Sequence, residues 1–184
     1  MADVSVRAAR AEDGADIGNV QAAAWRQAYD GVLPVDVLAA LGDGAAEEQW
    51  RAAAGAPPSP RHHVLVAVAG PDLVGFAAVG PAEDDDLDPG SAAELSALSV
   101  APTRTGEGHG SRLVNAAVDH LRQDGFARVV VWVMDQAPAD EALERFLAAA
   151  GWAPDAARRT LDLHGDGTVL VSQHRLAVTI TADP

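Results

Sequence analysis

Leu98-Ser99-Val100-Ala101-Pro102-Thr103-Arg104-Thr105-Gly106-Glu107-Gly108-His109-Gly110-Ser111 joins an apolar strand to a Gly-x-Gly-x-Gly turn, and the turn opens an amphipathic helix expected over about Ser111 to Arg122. A strand that ends in a glycine-rich loop at a helix start presents several unpaired backbone N–H groups together with the positive end of the helix dipole. That combination suits a phosphate ester, with glycine wherever a side chain would block close backbone approach.

Outward from this stretch, strands and helices alternate. Upstream, Val4 to Ala8 alternates like a first strand, and Ala11-Glu12-Asp13 leads into a helix with Ile17, Val20, Ala24 and Ala28 on one face. Gly31 and Pro34 close that helix; short helices are expected over Val35 to Leu41 and Glu47 to Ala54, followed by a loop from Gly55 to Pro60. His63 to Ala69 and Leu73 to Val79 are joined by Gly70-Pro71-Asp72, a turn short enough for an antiparallel hairpin. The acidic run Glu83 to Asp88 reads as a long solvated loop before the strand Glu94 to Val100. Downstream of the glycine turn and its helix come a strand over Arg128 to Met134, a helix over Ala139 to Ala150 and two strands, about Ala157 to Leu163 and Val169 to Ala177, around the hairpin signal Asp166-Gly167. The fold class is α/β (α+β): a mixed sheet, antiparallel toward its ends, with parallel pairing where a helix bridges the strands at Glu94 and Arg128.

Composition bounds the function classes. The 184 residues, 48% of them hydrophobic, suffice for a sizeable core, and one domain over 1–184 is expected. No apolar run is long enough to cross a bilayer, and the first residues lack a basic start followed by an apolar stretch, so a cytoplasmic location is the default. Cysteine is absent, which removes disulfides, thiolate metal sites and a cysteine nucleophile. The six histidines show no His-x-x-x-His or His-Glu pattern, so no metal is expected. Twenty-seven acidic against thirteen basic residues give a formal charge of −14, which disfavours nucleic acid and anionic membranes as partners and leans toward cationic small molecules; the same excess also serves solubility.

Val100-x-Pro102, then Gly106-x-Gly108-x-Gly110, a helix, a Val-rich strand, and Phe146 with Gly151-Trp152 resemble the acetyl-CoA motif region of the GNAT (Gcn5-related) N-acetyltransferases. Upstream, Ala24 to Pro34 resembles a segment of one bacterial branch of uncharacterised members. The resemblance implies the GNAT fold, about seven strands flanked by helices, with acetyl-CoA as co-substrate. A dinucleotide-binding loop is the rival reading of the glycines; it calls for an acidic residue about twenty positions on, whereas here the next strand ends at Met134-Asp135, nearly thirty positions beyond Gly106.

The resemblance further implies that the pantetheine arm lies along Leu98, Ser99 and Val100, with the Leu98 amide polarising the thioester carbonyl. Phosphate and cofactor contacts fall to Arg104, Thr105, Gly106, Glu107, Gly108, His109, Gly110 and Ser111, with Asp140 and Phe146 nearby. Thr105 stands where the family usually carries Arg or Gln, Asp140 near a common asparagine, and Leu147 in the usual place of a tyrosine general acid. Glu94, six residues before Val100, sits at the offset at which the histone-modifying branch of the superfamily carries its general-base glutamate, and even spacing puts it on one strand face with Ser96, Leu98 and Val100. The competing reading of Glu94 is an ordinary polar residue at a strand start. Trp25, Tyr29 and Asp30 are candidates for holding an amine by cation–π contact and charge, or, for the two aromatics, a packed pair four residues apart. The expected activity is direct acetyl transfer to an amine of a small molecule or peptide. The alternatives are a cofactor-binding regulatory module with little turnover and an O-acetyltransferase. The last strand offers an edge for a homodimer.

Overall fold

Among the described residues, period-two apolar segments separated by glycine and proline turns form seven strands, and 3.6-period segments between them form five α-helices. The structure, a computed structural model, describes residues 4–40, 44–135 and 137–180. In chain order these are β1 (Val4–Ala8), α1 (Gly14–Tyr29), α2 (Val35–Ala40), α3 (Ala45–Gly55), β2 (His63–Ala69), β3 (Asp72–Pro81), β4 (Ala92–Val100), α4 (His109–Gln123), β5 (Arg128–Met134), α5 (Pro138–Ala148), β6 (Ala153–Asp162) and β7 (Leu170–Thr179). Leu41, expected to end α2, lies outside the described residues.

The strands make one sheet in the order β1-β2-β3-β4-β5-β7-β6. Every pairing is antiparallel except β4 with β5, the pair bridged by α4. The last strand is therefore not an edge: β7 lies between β5 and β6, both of its sides are used, and the free edge expected there belongs to β6. β6 also starts at Ala153 rather than Ala157, because an irregularity between Pro154 and Arg158, with Ala156 at φ 72°, breaks the alternation by which a strand is read. α5 takes Pro138 in its first turn, where proline's missing N–H costs nothing.

One face of the sheet carries α4 and α5 on a core that includes Leu65, Leu95, Leu113, Leu121, Phe126, Val129 and Leu147. Each such fully buried side chain contributes about 1.5–3 kcal/mol. The other face packs α1 and α3, through Ile17, Val20 and Trp50, against Val66 and Phe76. At the far end of that second face there is no long helix among the described residues. The acidic loop between β3 and β4 covers it instead, with Leu87 packed near Val130 and Ala92.

Candidate active site

β4 and β5 are in register only from Ala92↔Arg128 to Glu94↔Val130. Beyond Glu94 the two strands diverge, and a cavity of about 350 Å³ opens between Leu95–Ser99 on one side and Val131, Trp132 and Met134 on the other. Ala101 N–H donates to Val74 O at 2.8 Å, so in the alternating antiparallel pattern Ser99 and Ala97 also face β3. The N–H and C=O groups of Leu98 and Val100 consequently point the other way, toward the open side, where no strand is in register with them among the described residues. An extended chain with amide groups can add there as a further strand.

The expectation that Glu94 shares a face with Ser96, Leu98 and Val100 is wrong, for a local reason. β3 and β4 slip register between Ala78↔Ala97 and Val79↔Leu95, leaving Ser96 as an extra residue whose Oγ donates to Ala78 O at 3.2 Å. A one-residue bulge inverts the alternation. Leu98 and Val100 therefore pack with the α4 core, as Leu95 does, while Glu94 lies on the face of Trp50 and Trp132. The side chains of Glu94 and Leu98 therefore lie on different faces of the same strand.

At the other end of β4 the glycine turn is shorter than its sequence suggests. Gly108 is the N-cap of α4, at φ 81°, and the helix starts at His109, so Gly110 and Ser111 lie in its first turn. Gly106 and Gly108 both adopt left-handed φ, which glycine enters without a Cβ penalty. Among the described residues no side chain caps this helix start. Its free N–H groups face a cavity of about 650 Å³ lined by Leu98, Ser99, Val100, Gly106, Gly108, Gly110, Ser111 and Phe146, and reaching Trp25, Tyr29 and Asp140. Arg104 lines the cavity too, but its Nε donates to both Glu107 carboxylate oxygens, at 3.0 and 3.2 Å, and this pairing holds the Glu107 carboxyl below the usual range. Thr105 Oγ1 donates to Pro102 O. His109 is buried, 1% exposed, with Nε2 3.2 Å from Glu107 and Nδ1 without a partner among the described residues.

The profile of the Acetyltransferase (GNAT) family matches residues 24–151. The uncharacterized N-acetyltransferase YuaI of Bacillus subtilis (strain 168) is 32% identical over 139 residues, 74% of this chain and 75% of that one. The chain belongs to the GNAT acetyltransferase family. Among solved structures, the PaiA N-acetyltransferase of Thermoplasma acidophilum in complex with coenzyme A aligns with a TM-score of 0.70 at 17% identity, over 93% of this chain and 98% of that one. For yncA of Salmonella typhimurium with its cofactor acetyl-CoA the values are 0.64 and 17%, over 99% and 96%. These two share the fold.

In this GNAT acetyltransferase, Glu94 lines the divergence of β4 and β5 and also an adjoining cavity of about 470 Å³ that reaches His62, His63, Trp50 and Glu83. Burial pushes its carboxyl above the usual range; the charge of Arg159 opposes the shift, and Asp84 and Glu83 reinforce it. The acidic run is not simply a solvated loop. Arg175, only 3% exposed, binds Asp84 at 3.2 Å, Asp86 at 2.5 Å and Asp155 at 2.9 Å, and Trp132 Nε1 donates to Asp84. Sequence reasoning missed Arg175, Arg159 and Trp132. The available signal was arginine at strand positions, 159 and 175 among them, in a chain with so few basic residues.

Trp25 and Tyr29 form an edge-to-face pair at 5.2 Å and pack with Leu33, Leu38 and Met134, so they are a packed pair that also lines the opening. Tyr29 Oη donates to Asp140 Oδ1 at 2.8 Å, and Asp140 Oδ2 accepts the Met134 N–H at 2.5 Å. The bond links α1, on one face, to α5 on the other through the gap. Burial raises both the Tyr29 hydroxyl and the Asp140 carboxyl. Asp30 is exposed and lines neither cavity. Leu147 is sealed in the core, so no proton donor acts from that position. Among the described residues no three His, Cys, Asp or Glu side chains gather to hold a metal ion, and no helix is long and apolar enough to cross a membrane.

Proposed function

We propose that this chain moves an acetyl group from acetyl-CoA directly to the amine of a small molecule or peptide, with Glu94 as general base and the Leu98 N–H as the donor to the carbonyl oxygen. The observation that carries the reading is the arrangement of β4: one strand offers an unpaired backbone edge at Leu98 and Val100, an uncapped helix start beyond it, and a half-buried carboxylate before it. The uncapped N–H groups of α4, with Gly106 and Gly108 leaving room for close approach, fit a pyrophosphate. Phe146 and Val100 border the same cavity on its apolar side. Acetyl-CoA supplies an activated acyl group and a good leaving thiolate.

The residues do the rest. An ammonium has no lone pair, so Glu94 takes one proton before attack, directly or through water. A carboxyl raised by burial is better matched to that task near neutral pH than an exposed one. As the C–N bond forms and the C–S bond breaks, the Leu98 N–H meets the charge developing on the carbonyl oxygen. The nitrogen's second proton neutralises the thiolate, and Glu94 returns its own to solvent. With no cysteine in the chain and Leu147 buried, neither a thioester enzyme intermediate nor an acid at that position enters.

The test is an acceptor screen that follows thiol release from acetyl-CoA. Release with amines supports the reading. Release with hydroxyl acceptors and with no amine replaces N- by O-acetylation, and tight acetyl-CoA binding with no release to any acceptor replaces transfer by cofactor binding alone.

A further inference from the structure

Among the described residues, Arg159 is the only arginine lining the two cavities that meet at Glu94. It starts on β6, the sheet edge, opposite Gln173 of β7. Its guanidinium reaches back across β7 to lie 4.3 Å from the centre of the Trp132 ring on β5. Its Nε donates to Gln173 Oε1 at 2.7 Å, which fixes the plane of the fork. The two terminal nitrogens make no hydrogen bond among the described residues. Their nearest carboxylate, Asp84, is 4.0 Å away, and the other oxygen of Asp84 is taken by Arg175 and Trp132. The contrast with its neighbours is direct. Arg175 uses Nε and both terminal nitrogens on aspartates, and Arg104 is engaged by Glu107.

A guanidinium stacked on an indole, anchored at Nε and open at its two terminal nitrogens, is a receptor for a planar or tetrahedral oxyanion. It lies beside the base. Glu94 of β4 is in register with Val130 of β5, and Trp132, under the guanidinium, is two residues further along the same face, so carboxylate and guanidinium line the same two cavities from opposite sides of the opening. A single small molecule can present an amine to one and an acid group to the other. The opposing effect of Arg159 on the Glu94 carboxyl agrees with this closeness.

We propose that the acetyl acceptor is a small zwitterion with an oxyanionic acid group beside its amine, a free amino acid or an amino phosphonate, and that Arg159 receives the acid group while Glu94 faces the amine. This rests on the acetyl-to-amine reading above. It also narrows what the acidic surroundings alone suggest: a polycation would leave the Arg159 fork unmatched and bring it a like charge. Trp50, Phe76 and Trp132 give the cavity an apolar wall for the remainder of the acceptor.

The experiment compares kcat/KM, by thiol release with acetyl-CoA, for free L-amino acids, aminoalkylphosphonates, the corresponding amino-acid amides and the amines that lack the acid group, in the wild type, Arg159→Gln and Arg159→Lys. Acid-bearing acceptors are expected to exceed their amides at least tenfold, about the worth of a charge-assisted pair, with carboxylate and phosphonate arms telling which oxyacid is used. Arg159→Gln abolishes that preference, mainly through KM, and Arg159→Lys, which keeps the charge without the fork, retains part of it. Amides or acid-free amines used as well as the acids, or a preference that survives Arg159→Gln, would overturn the proposal while leaving amine acetylation intact. No acetylation of any amine by a wild type that binds acetyl-CoA would overturn both.

Discussion

The bulge at Ser96 decides what Glu94 can do. Without it, Glu94 would lie among the α4 core with Leu98; with it, the carboxylate enters a polar opening edged by Arg159 and the acidic loop. A carboxyl raised by burial carries a linkage cost: the folded protein holds the Glu94 proton more tightly than the unfolded chain, so ionising it at neutral pH costs stability. Glu94→Gln is therefore expected to raise Tm at pH 8, with the gain shrinking as pH falls and vanishing below the unfolded-chain value of about 4.5. Melting curves across that range check the sign, and equal Tm changes at pH 8 and pH 4 would contradict it. That Glu94, Leu98 and the glycines follow one another along one strand and loop was legible in the sequence; the face Glu94 takes was not, because the bulge at Ser96 has no local signal. The roles of Arg159 and Arg175 were not legible either. They depend on β6 and β7 returning beside β5, and pairing between strands distant in sequence leaves no local periodicity to read.

At the scale of elements, two packings hold the Glu94 side of the gap. α1 crosses α3 so closely that a Cβ on Gly14 would stand 2.8 Å from Glu47 O and 2.9 Å from Arg51 N, both backbone atoms that cannot turn aside. Gly14→Ala is expected to cost about 1–3 kcal/mol in urea unfolding and, by shifting Gln49 and Trp50 on α3, to raise KM for the acceptor. The second packing is the acidic loop on Arg175. Replacing that buried guanidinium with methionine leaves Asp84 and Asp155 without their shared cation, and about 3 kcal/mol of destabilisation is expected from urea unfolding, with a raised acceptor KM and an unaltered acetyl-CoA Kd. A change in acetyl-CoA affinity as large as that in acceptor KM would place the loop's role elsewhere. Element type and order were readable throughout, because hairpin turns and helix periods are local signals. The ends that moved were at Gly108, where a left-handed residue starts the helix early, and at Ala156, where positive φ interrupts β6.

For the molecule as a whole, the sheet is the device. It is closed between β4 and β5 only as far as Glu94, and the divergence beyond lets one strand serve two cavities, a glycine-lined one toward α4 and a polar one toward Glu94 and Arg159. The formal charge of −14 sits around this opening in part through Glu83 and Glu94, a field that under the proposed function favours cationic amines, with Arg159 proposed to sort among them. The most direct measurement is kcat/KM against pH for the wild type and Glu94→Gln with an accepted amine, alongside the Kd for acetyl-CoA. At pH 7 the variant is expected to lose about 100-fold or more in kcat/KM, to keep its acetyl-CoA affinity within about twofold, and to recover toward the wild type as pH approaches the amine's own pKa. Turnover by Glu94→Gln at pH 7 within a few-fold of the wild type would contradict general-base catalysis by Glu94.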